Sequence, residues 1–428
     1  MTRDDCSNAD SRTAFEEARR VASLFDLHGS VEISDFAAKG NINQQTYLIR
    51  AGPPGSRAEY LLQQLNPAVF TQPRRVMASM VACLEAQQKA LAAGRLREGE
   101  EWETIRLIPT KLGEASLEIE DERGLRCWRM MARIRPADSY KSLREIPDAD
   151  LRLRIAREAG KGLALFSALT AGMDPSQFQS PLPGYRDTGL YYGQFHSILE
   201  GSRTVREAAR FLPADEGLRQ STESHFLVRI SPEEHRRRRN DPQLRPLIAL
   251  ALEQKLFALT LARGLASGTI RKVIVHGDTK LDNFLFNPAT GNVRALVDLD
   301  TIMPHTWLSD WGDMTRSLVN IAGERERDPD KIDADLDIFR AVTQGFLSSA
   351  RNIASQEIGF MADAPQIMAL ELGVRFLTDY LRGDSYFKPT PEDPTNLNKI
   401  RAIVQFRLFE KMRGKAGLLK GSIEEWSH

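Results

Sequence analysis

Residues 275–286 read VHGDTKLDNFLF, and residues 295–302 read ALVDLDTI. His, Asp, Lys and Asn here interrupt apolar runs that otherwise read as short strands. Polar groups inside strand-like sequence are costly unless they have partners or a task. Val273–Val275 and Phe284–Phe286 read as strands, and Gly277 permits a tight turn between them. The side chains of Asp278 and Asn283 can then point into one cavity. After the turn NPATGN (287–292), VRALVDLD (293–300) returns as a third strand. Alternation along that strand places Asp298 and Asp300 on one face. Three carboxylates and a carboxamide gather, with Lys280 between them.

Phosphoryl transfer fits that inventory. One Asp can accept the proton of an incoming hydroxyl, while an Asn and a second Asp hold Mg²⁺ against nucleotide phosphates. Asp278 and Asn283 have the D-x-x-x-x-N spacing of a kinase catalytic loop, with His276 two residues ahead of the Asp. Mg²⁺ prefers oxygen ligands, so no Cys or His cluster is expected. Taken alone, the spacing also suits a polar hairpin with Asx turns. The surrounding strand–loop–strand–turn–strand context, with Asp298 in place, favours chemistry.

The 428 residues suffice for two or three domains, or for two lobes sharing a cleft. Lys plus Arg (58) equals Asp plus Glu (58), which argues against a nucleic-acid partner. The one basic run, HRRRRN at 235–240, reads as a solvated face. Cys6, Cys83 and Cys127 lie far apart without CxxC spacing, so neither zinc nor a disulfide framework is indicated. The N-terminal stretch is charged and polar, unlike a signal peptide. No apolar run approaches the roughly 18 residues of a membrane span, so a cytoplasmic protein with no membrane partner is expected.

The first dozen residues read as a loose tail, followed by a helix over 13–27. Strand signals occur in GSVEISDFAAKG (29–40), NINQQTYLIRA (41–51) and AEYLLQQLN (58–66), with the turn GPPGS (52–56) joining the last two. The segment 73–94 opens on Pro and ends on Gly, as one long helix does. TIRLIPT (104–110), ASLEIED (115–121) and RCWRMMARI (126–134) are further strands. From about residue 146 the texture turns helical, most clearly over 148–169 and 247–268. The expected fold class is α+β, with a β-rich lobe over 1–135 and a larger, mostly helical lobe over 136–428 that carries the polar hairpin.

VHGDTKLDNFLF and ALVDLDTIMPHTWLSDWGDMTRSL (295–318) resemble the paired signature segments of the aminoglycoside phosphotransferase and choline kinase family. GNINQQTYLIR (40–50), YLLQQLNPAVFTQPRRVMASM (60–80), GYRDTG (184–189) and LELGVRFLTDYLRGDSYFK (370–388) extend the resemblance to bacterial N-acetylhexosamine 1-kinases. The resemblance implies a protein-kinase-like, two-lobe fold with ATP between the lobes. It implies Asp278 as catalytic base, with Lys280 beside it, and Asn283 and Asp298 as Mg²⁺ ligands. Asp313 matches an acidic residue that supports the catalytic loop. The implied reaction is phosphoryl transfer from ATP to a sugar or amino sugar, at the anomeric hydroxyl of an N-acetylhexosamine. The alternatives are an aminoglycoside or choline-type amino-alcohol kinase and a nucleotide-binding pseudokinase.

One departure stands out. The third small-lobe strand, YLLQQLN, has no Lys for the nucleotide phosphates. Gln63 or Gln64 could hydrogen-bond a phosphate there, and Lys39 is a possible substitute cation. Gly40, Asn41 and Asn43 would cover the nucleotide, and the backbone near Met131, Ala132 and Arg133 would meet the adenine. For the acceptor, Glu371, Arg375 and Asp379 recur every four residues. They read either as a ladder of ion pairs or as a polar wall for a hydroxyl-rich ligand, completed by Tyr380, Asp384, Tyr386 and Phe387. YRDTG (185–189) is a candidate second wall. The neutral chain and Arg375 lean away from a polycationic acceptor.

Overall fold

Ile49, Leu62, Trp128 and Met130 are sealed from solvent on one face of a small antiparallel sheet, where Ala18, Val21 and Phe25 cover them. The computed structural model describes residues 3–38, 42–43, 45–53, 55–122, 124–351, 353–390 and 393–427. The sheet comprises β1 (Ser30–Asp35), β2 (Thr46–Gly52), β3 (Ala58–Gln64), β4 (Leu107–Ile108), β5 (Leu117–Asp121) and β6 (Gly124–Ala132). Its order is β1-β2-β3-β6-β4, with β5 also paired to β6, and every pairing is antiparallel. Helix α1 (Arg3–Ala22) reaches further back than the expected start at residue 13, so the loose tail is not observed over 3–12. No Gly or Pro interrupts residues 3–22, so nothing in the local sequence stops the helix. Helix α2 (Pro73–Ala92) puts Val76, Met77, Met80 and Cys83 into the main core.

Beyond β6 the chain is fastened at both ends of a short link. Glu59 of β3 accepts from Arg133 (2.6 Å) and Arg135 (2.7 Å). Asp138 and Phe286 exchange two backbone hydrogen bonds of 2.9 Å. The larger part begins with α3 (Ala149–Thr170), whose Asp148 N-cap accepts from the Leu151 N–H. It continues through α4 (Thr188–Glu200) and the long helices Trp307–Val319, Leu336–Ser349, Ala364–Arg382 and Leu397–Gly414. The periodic segment 247–268 is divided into Arg245–Glu253, Lys255–Ala258 and Thr260–Ser267, since the backbone leaves helical torsions at Gln254 and Leu259. Among the described residues no helix is long and apolar enough to cross a membrane.

Two ribbons carry the polar knot: β7 (Val273–Val275) pairs with β10 (Met303–His305), and β8 (Phe284–Phe286) pairs with β9 (Val293–Leu296). The third strand stops at Leu296, short of its expected end. Val297 donates its N–H to Asn283 O (2.8 Å) and accepts from His276 Nε2 (2.9 Å), which draws the chain out of the ladder. Asp298 takes left-handed torsions (φ 67°), and Leu299–Thr301 form a 3-10 turn. Asp298 and Asp300 therefore do not share a strand face.

Helices α3 and Leu336–Ser349 meet backbone to backbone. A Cβ on Gly160 would overlap Val342 O, and one on Gly345 would overlap Arg157 O. We expect Gly345→Ala to force the pair apart and to lower unfolding stability by about 1–3 kcal/mol in a denaturant titration.

Candidate active site

The loop between β7 and β8 is held by one buried carboxylate. Asp310, in the first turn of the helix Trp307–Val319, accepts from the His276 N–H (2.7 Å) and the Gly277 N–H (2.9 Å). Its backbone oxygen takes the Thr279 hydroxyl (2.8 Å), and the Thr301 hydroxyl donates to His276 O (2.7 Å). Gly277 sits at φ +83°, and a Cβ there would lie 2.6 Å from Thr301 O, so the turn needs glycine. Burial pushes the Asp310 carboxyl up to about 6, against the pull of Arg186 and the two backbone donors.

Asp310 holds this loop directly, and Asp313, one turn later, reaches it through Arg186. Asp313 pairs with Arg186 (2.5 Å) and Arg316 (2.6 Å). Burial acts to raise its carboxyl, but the two guanidinium groups outweigh that and hold it well below the usual carboxylate range. Arg186 passes the restraint on by donating to Gly277 O (3.0 Å).

Within the loop, Asn283 Nδ2 donates to Asp278 O (2.8 Å) and Oδ2 (3.2 Å), and Lys280 Nζ lies 3.2 Å from the same Oδ2. Burial pushes the His276 imidazole pKa down, against the charge of Asp278 and the bond to Val297 O. The ring accepts at Nδ1 from the Asp278 N–H (3.2 Å) and donates at Nε2 to Val297 O. Val297 is in turn bonded to Asn283 O, so Asp278, Asn283 and Asp298 come together. Burial, then the charges of Asp300 and Asp278, push the Asp298 carboxyl up to about 7. For Lys280, burial favours the neutral amine, but Asp278, Asp282 and Asp298 outweigh it and raise the ammonium pKa.

Lys280 balances only part of the negative charge of this crowd of oxygens, which is the donor chemistry a hard divalent ion requires. Because the Asn283 amide nitrogen faces Asp278, its Oδ1 is the atom left for a cation. Among the described residues no group of three His, Cys, Asp or Glu side chains could hold a metal. An ion at Asn283 and Asp298 would thus complete its shell with substrate oxygens and water, as Mg²⁺ does.

On the small-lobe side several expectations change. Asn43 is buried and fully engaged: Nδ2 donates to Asp300 Oδ2 (2.6 Å), and Oδ1 accepts from the Asn66 N–H (2.9 Å). Gln63 accepts from Arg129 Nε (3.1 Å) and donates to the Thr46 hydroxyl (3.0 Å). Both amides are bonded within the protein, and they brace the join between β2, β3, β6 and the Asp298–Asp300 segment. The buried cation is Arg129 of β6, whose Nη2 lies 2.5 Å from Asp300 Oδ1. The N–H groups of Ala132 and Arg133 bond to Arg106 O (2.8 Å) and Glu59 O (2.9 Å), so these donors near Met131 are closed to an adenine. Lys39, Gly40 and Asn41 lie outside the described residues.

On the acceptor side, the helix Ala364–Arg382 does not carry an ion-pair ladder. Glu371 accepts from the Thr188 hydroxyl (2.6 Å) and faces Arg186 (3.9 Å). Asp379 accepts from the N–H groups of Ser385 (3.1 Å), Tyr386 (2.9 Å) and Phe387 (2.8 Å). Asp384 pairs with Arg238 (2.6 Å) and accepts from Asn398 (2.9 Å), while the Arg238 guanidinium covers the Tyr380 ring at 4.4 Å. Asp379 and Asp384 therefore shape the turn carrying Tyr386 and Phe387, and their carboxylates are engaged there rather than open to a ligand, while the Tyr380 ring lies under Arg238. Arg375 is different. It lines a cleft of about 540 Å³, counting its open mouth, with Tyr185, Tyr191, Gln194, Tyr386 and Phe387. Tyr185 joins this cleft to the catalytic loop by donating to Gly277 O (2.8 Å).

Sequence reasoning missed Asp310, Arg129 and the part Arg186 plays. A signal existed for Arg129, which alternates with Trp128 and Met130 in an apolar strand and so faces the opposite side of the sheet.

Residues 36–341 match the family model described as the phosphotransferase enzyme family. Among solved structures, an amicoumacin kinase in complex with AMP-PNP, Ca²⁺ and Ami shares 12% identity at a TM-score of 0.52, over 95% of this chain and 96% of that one. A microcompartment-associated aminopropanol kinase shares 14% at 0.46, over 94% and 99%. An ethanolamine kinase from Plasmodium vivax shares 12% at 0.45, over 88% and 82%. At these identities the likeness is one of fold. With more than half its length matched by the family model, and with an antiparallel small lobe set on a helical large lobe, the chain belongs to the phosphotransferase enzyme family and has its protein-kinase-like fold.

Proposed function

We propose that this phosphotransferase moves the γ-phosphoryl group of ATP, with Mg²⁺ bound, onto a hydroxyl of a sugar. The convergence of Asp278, Asn283 and Asp298 beside a cleft that reaches their loop through Tyr185 carries the reading. Residues 1–135 serve as the nucleotide lobe and residues 136–428 as the catalytic and acceptor lobe. Asp278 orients the acceptor O–H and takes its proton as that oxygen bonds to phosphorus, while the bond to the ADP oxygen breaks. Lys280, beside Asp278, limits the negative charge that builds there. Asn283 and Asp298 would hold the ion, which neutralises the phosphate oxygens when bound.

The sugar class draws on two features. Aromatic faces at Tyr185, Tyr191, Tyr386 and Phe387 suit the apolar side of a pyranose ring. The resemblance of 184–189 and 370–388 to N-acetylhexosamine 1-kinases points to an anomeric hydroxyl. A polycationic aminoglycoside or a choline-type acceptor is disfavoured by Arg375 and Arg382 in the cleft wall. A cytoplasmic setting, where ATP and Mg²⁺ are at hand, goes with this reading.

Asp278→Asn keeps the hydrogen bond from Asn283 but removes the proton acceptor. It should lower kcat for sugar-dependent ADP release by roughly 10²–10⁴ while nucleotide affinity, read by calorimetry, stays within a few-fold. A variant that keeps most of its rate excludes Asp278 as the base. EDTA should abolish ADP release and added Mg²⁺ should restore it. Asp298→Asn should raise the Mg²⁺ concentration needed for half-maximal rate by at least about tenfold, and an unchanged requirement would remove Asp298 from the metal site.

A further inference from the structure

Arg375 carries a charge that, among the described residues, only Glu371, beyond ion-pair distance, offsets. Its guanidinium lies within reach of four rings, with centroids at Tyr191 (4.6 Å), Phe387 (5.2 Å), Tyr185 (5.7 Å) and Tyr386 (5.8 Å). Among the described residues no oxygen accepts a hydrogen bond from it, and no carboxylate comes within ion-pair distance. Glu371, one turn away on the same helix, is turned toward Thr188 and Arg186. Asp379, in the cleft wall, has both oxygens bonded to the backbone of residues 385–387. Arg382, by contrast, is paired with Asp379 (3.9 Å) and donates to Ser224 O (2.9 Å) and Leu227 O (3.3 Å).

Charged groups drawn out of water are normally paired, so a guanidinium left with rings alone marks where a ligand supplies the anion. The residues lining the cleft all come from 182–387, none from the small-lobe sheet, so the anion belongs to the acceptor rather than to the nucleotide. Gln194 and His225 face the same space, and among the described residues neither has a hydrogen-bond partner. Burial, with Arg382 and Arg375 nearby, pushes the His225 imidazole down to about 4, so it presents a neutral donor and acceptor.

We infer that the acceptor is an acidic sugar, such as a hexuronic acid, whose carboxylate pairs with Arg375 while a hydroxyl reaches Asp278. This rests on the sugar-kinase reading above and narrows its substrate class. The Arg375 fork can bind a carboxylate through two parallel hydrogen bonds, and the aromatic walls hold it in place.

The test compares D-glucuronate and D-galacturonate with N-acetylglucosamine, N-acetylgalactosamine and kanamycin as acceptors, in the wild-type protein and in Arg375→Gln and Arg375→Lys. A hexuronate should have the highest kcat/KM, by at least about tenfold over the neutral sugars. Arg375→Gln should raise its KM by about tenfold or more with a smaller change in kcat, a larger loss than it causes for the neutral sugars. Arg375→Lys, which keeps the charge but loses the fork, should fall between the two and guards against misfolding of the Gln variant. A neutral sugar or kanamycin as the best acceptor overturns the inference, as does an equal loss for acidic and neutral sugars. If no sugar supports ADP release, the sugar-kinase reading itself fails. Calorimetric binding of glucuronate without nucleotide then still decides the pocket: Arg375-dependent binding supports the anion site, and its absence overturns it.

Discussion

Two backbone N–H groups pointing at one buried carboxylate hold the loop that carries Asp278 in place. Without Asp310, the N–H groups of His276 and Gly277 would be buried and unpaired, and each such group costs about 1–3 kcal/mol. With it, the left-handed turn at Gly277 is fixed, and the direction of the Asp278 side chain follows. His276 then extends the restraint to a second segment by bonding Val297 O. A buried imidazole is suited to this, because it can accept from its own loop at Nδ1 and donate to the segment after β9 at Nε2. The loop and the Val297–Asp300 segment thus form one unit, and a shift in either moves both.

Charge is distributed around this unit so that each half of the molecule supplies what the other lacks. The large lobe contributes Asp278, Asp298 and Asp300, which repel one another, while the small lobe contributes Arg129 and the amide of Asn43. Asp300 is the point where they meet. A lysine on β3 is absent, and Gln63 at that strand instead accepts from Arg129, which turns the guanidinium toward the large lobe. The small-lobe cation is therefore used first to fasten the two lobes at the metal-side segment. Buried ion pairs of this kind contribute more to geometry than to net stability, since desolvation offsets much of the attraction.

Much of this was legible in the sequence. The small sheet, α2 and the polar hairpin announced themselves through alternation, a Pro start with a Gly stop, and a tight glycine turn. The grouping of Asp278, Asn283 and Asp298 followed from spacing and from resemblance. What could not be read was which polar group bonds which. Asp310 and Asp313 are three residues apart on one helix, and only tertiary packing shows that the first meets the loop while the second meets Arg186. Likewise Asp379 and Asp384 have the composition of a sugar site, yet their oxygens stabilise a turn. The end of β9 was misread because hydrogen bonds from distant residues, His276 and Asn283, override its local strand propensity.

Three residues other than glycine adopt left-handed torsions: Arg186 (φ 63°), Asp298 (φ 67°) and Asp384 (φ 55°), among the described residues. Each such conformation costs on the order of 1 kcal/mol or more and persists only where surrounding contacts over-determine it. The contacts are present in each case. Arg186 is held by Asp313, Gly277 O and the Tyr191 hydroxyl, which accepts from its N–H; Asp384 is held by Arg238 and Asn398. Asp298 is flanked by Val297 and Asp300, both tied to distant segments. These three positions also mark the boundaries of the site: the cleft wall at 185–191, the metal-side segment, and the turn presenting Tyr386 and Phe387. The unfavourable torsions thus coincide with the points where the chain must leave regular structure to aim a side chain. A scaffold of packed helices and buried ion pairs supplies the stability that offsets them.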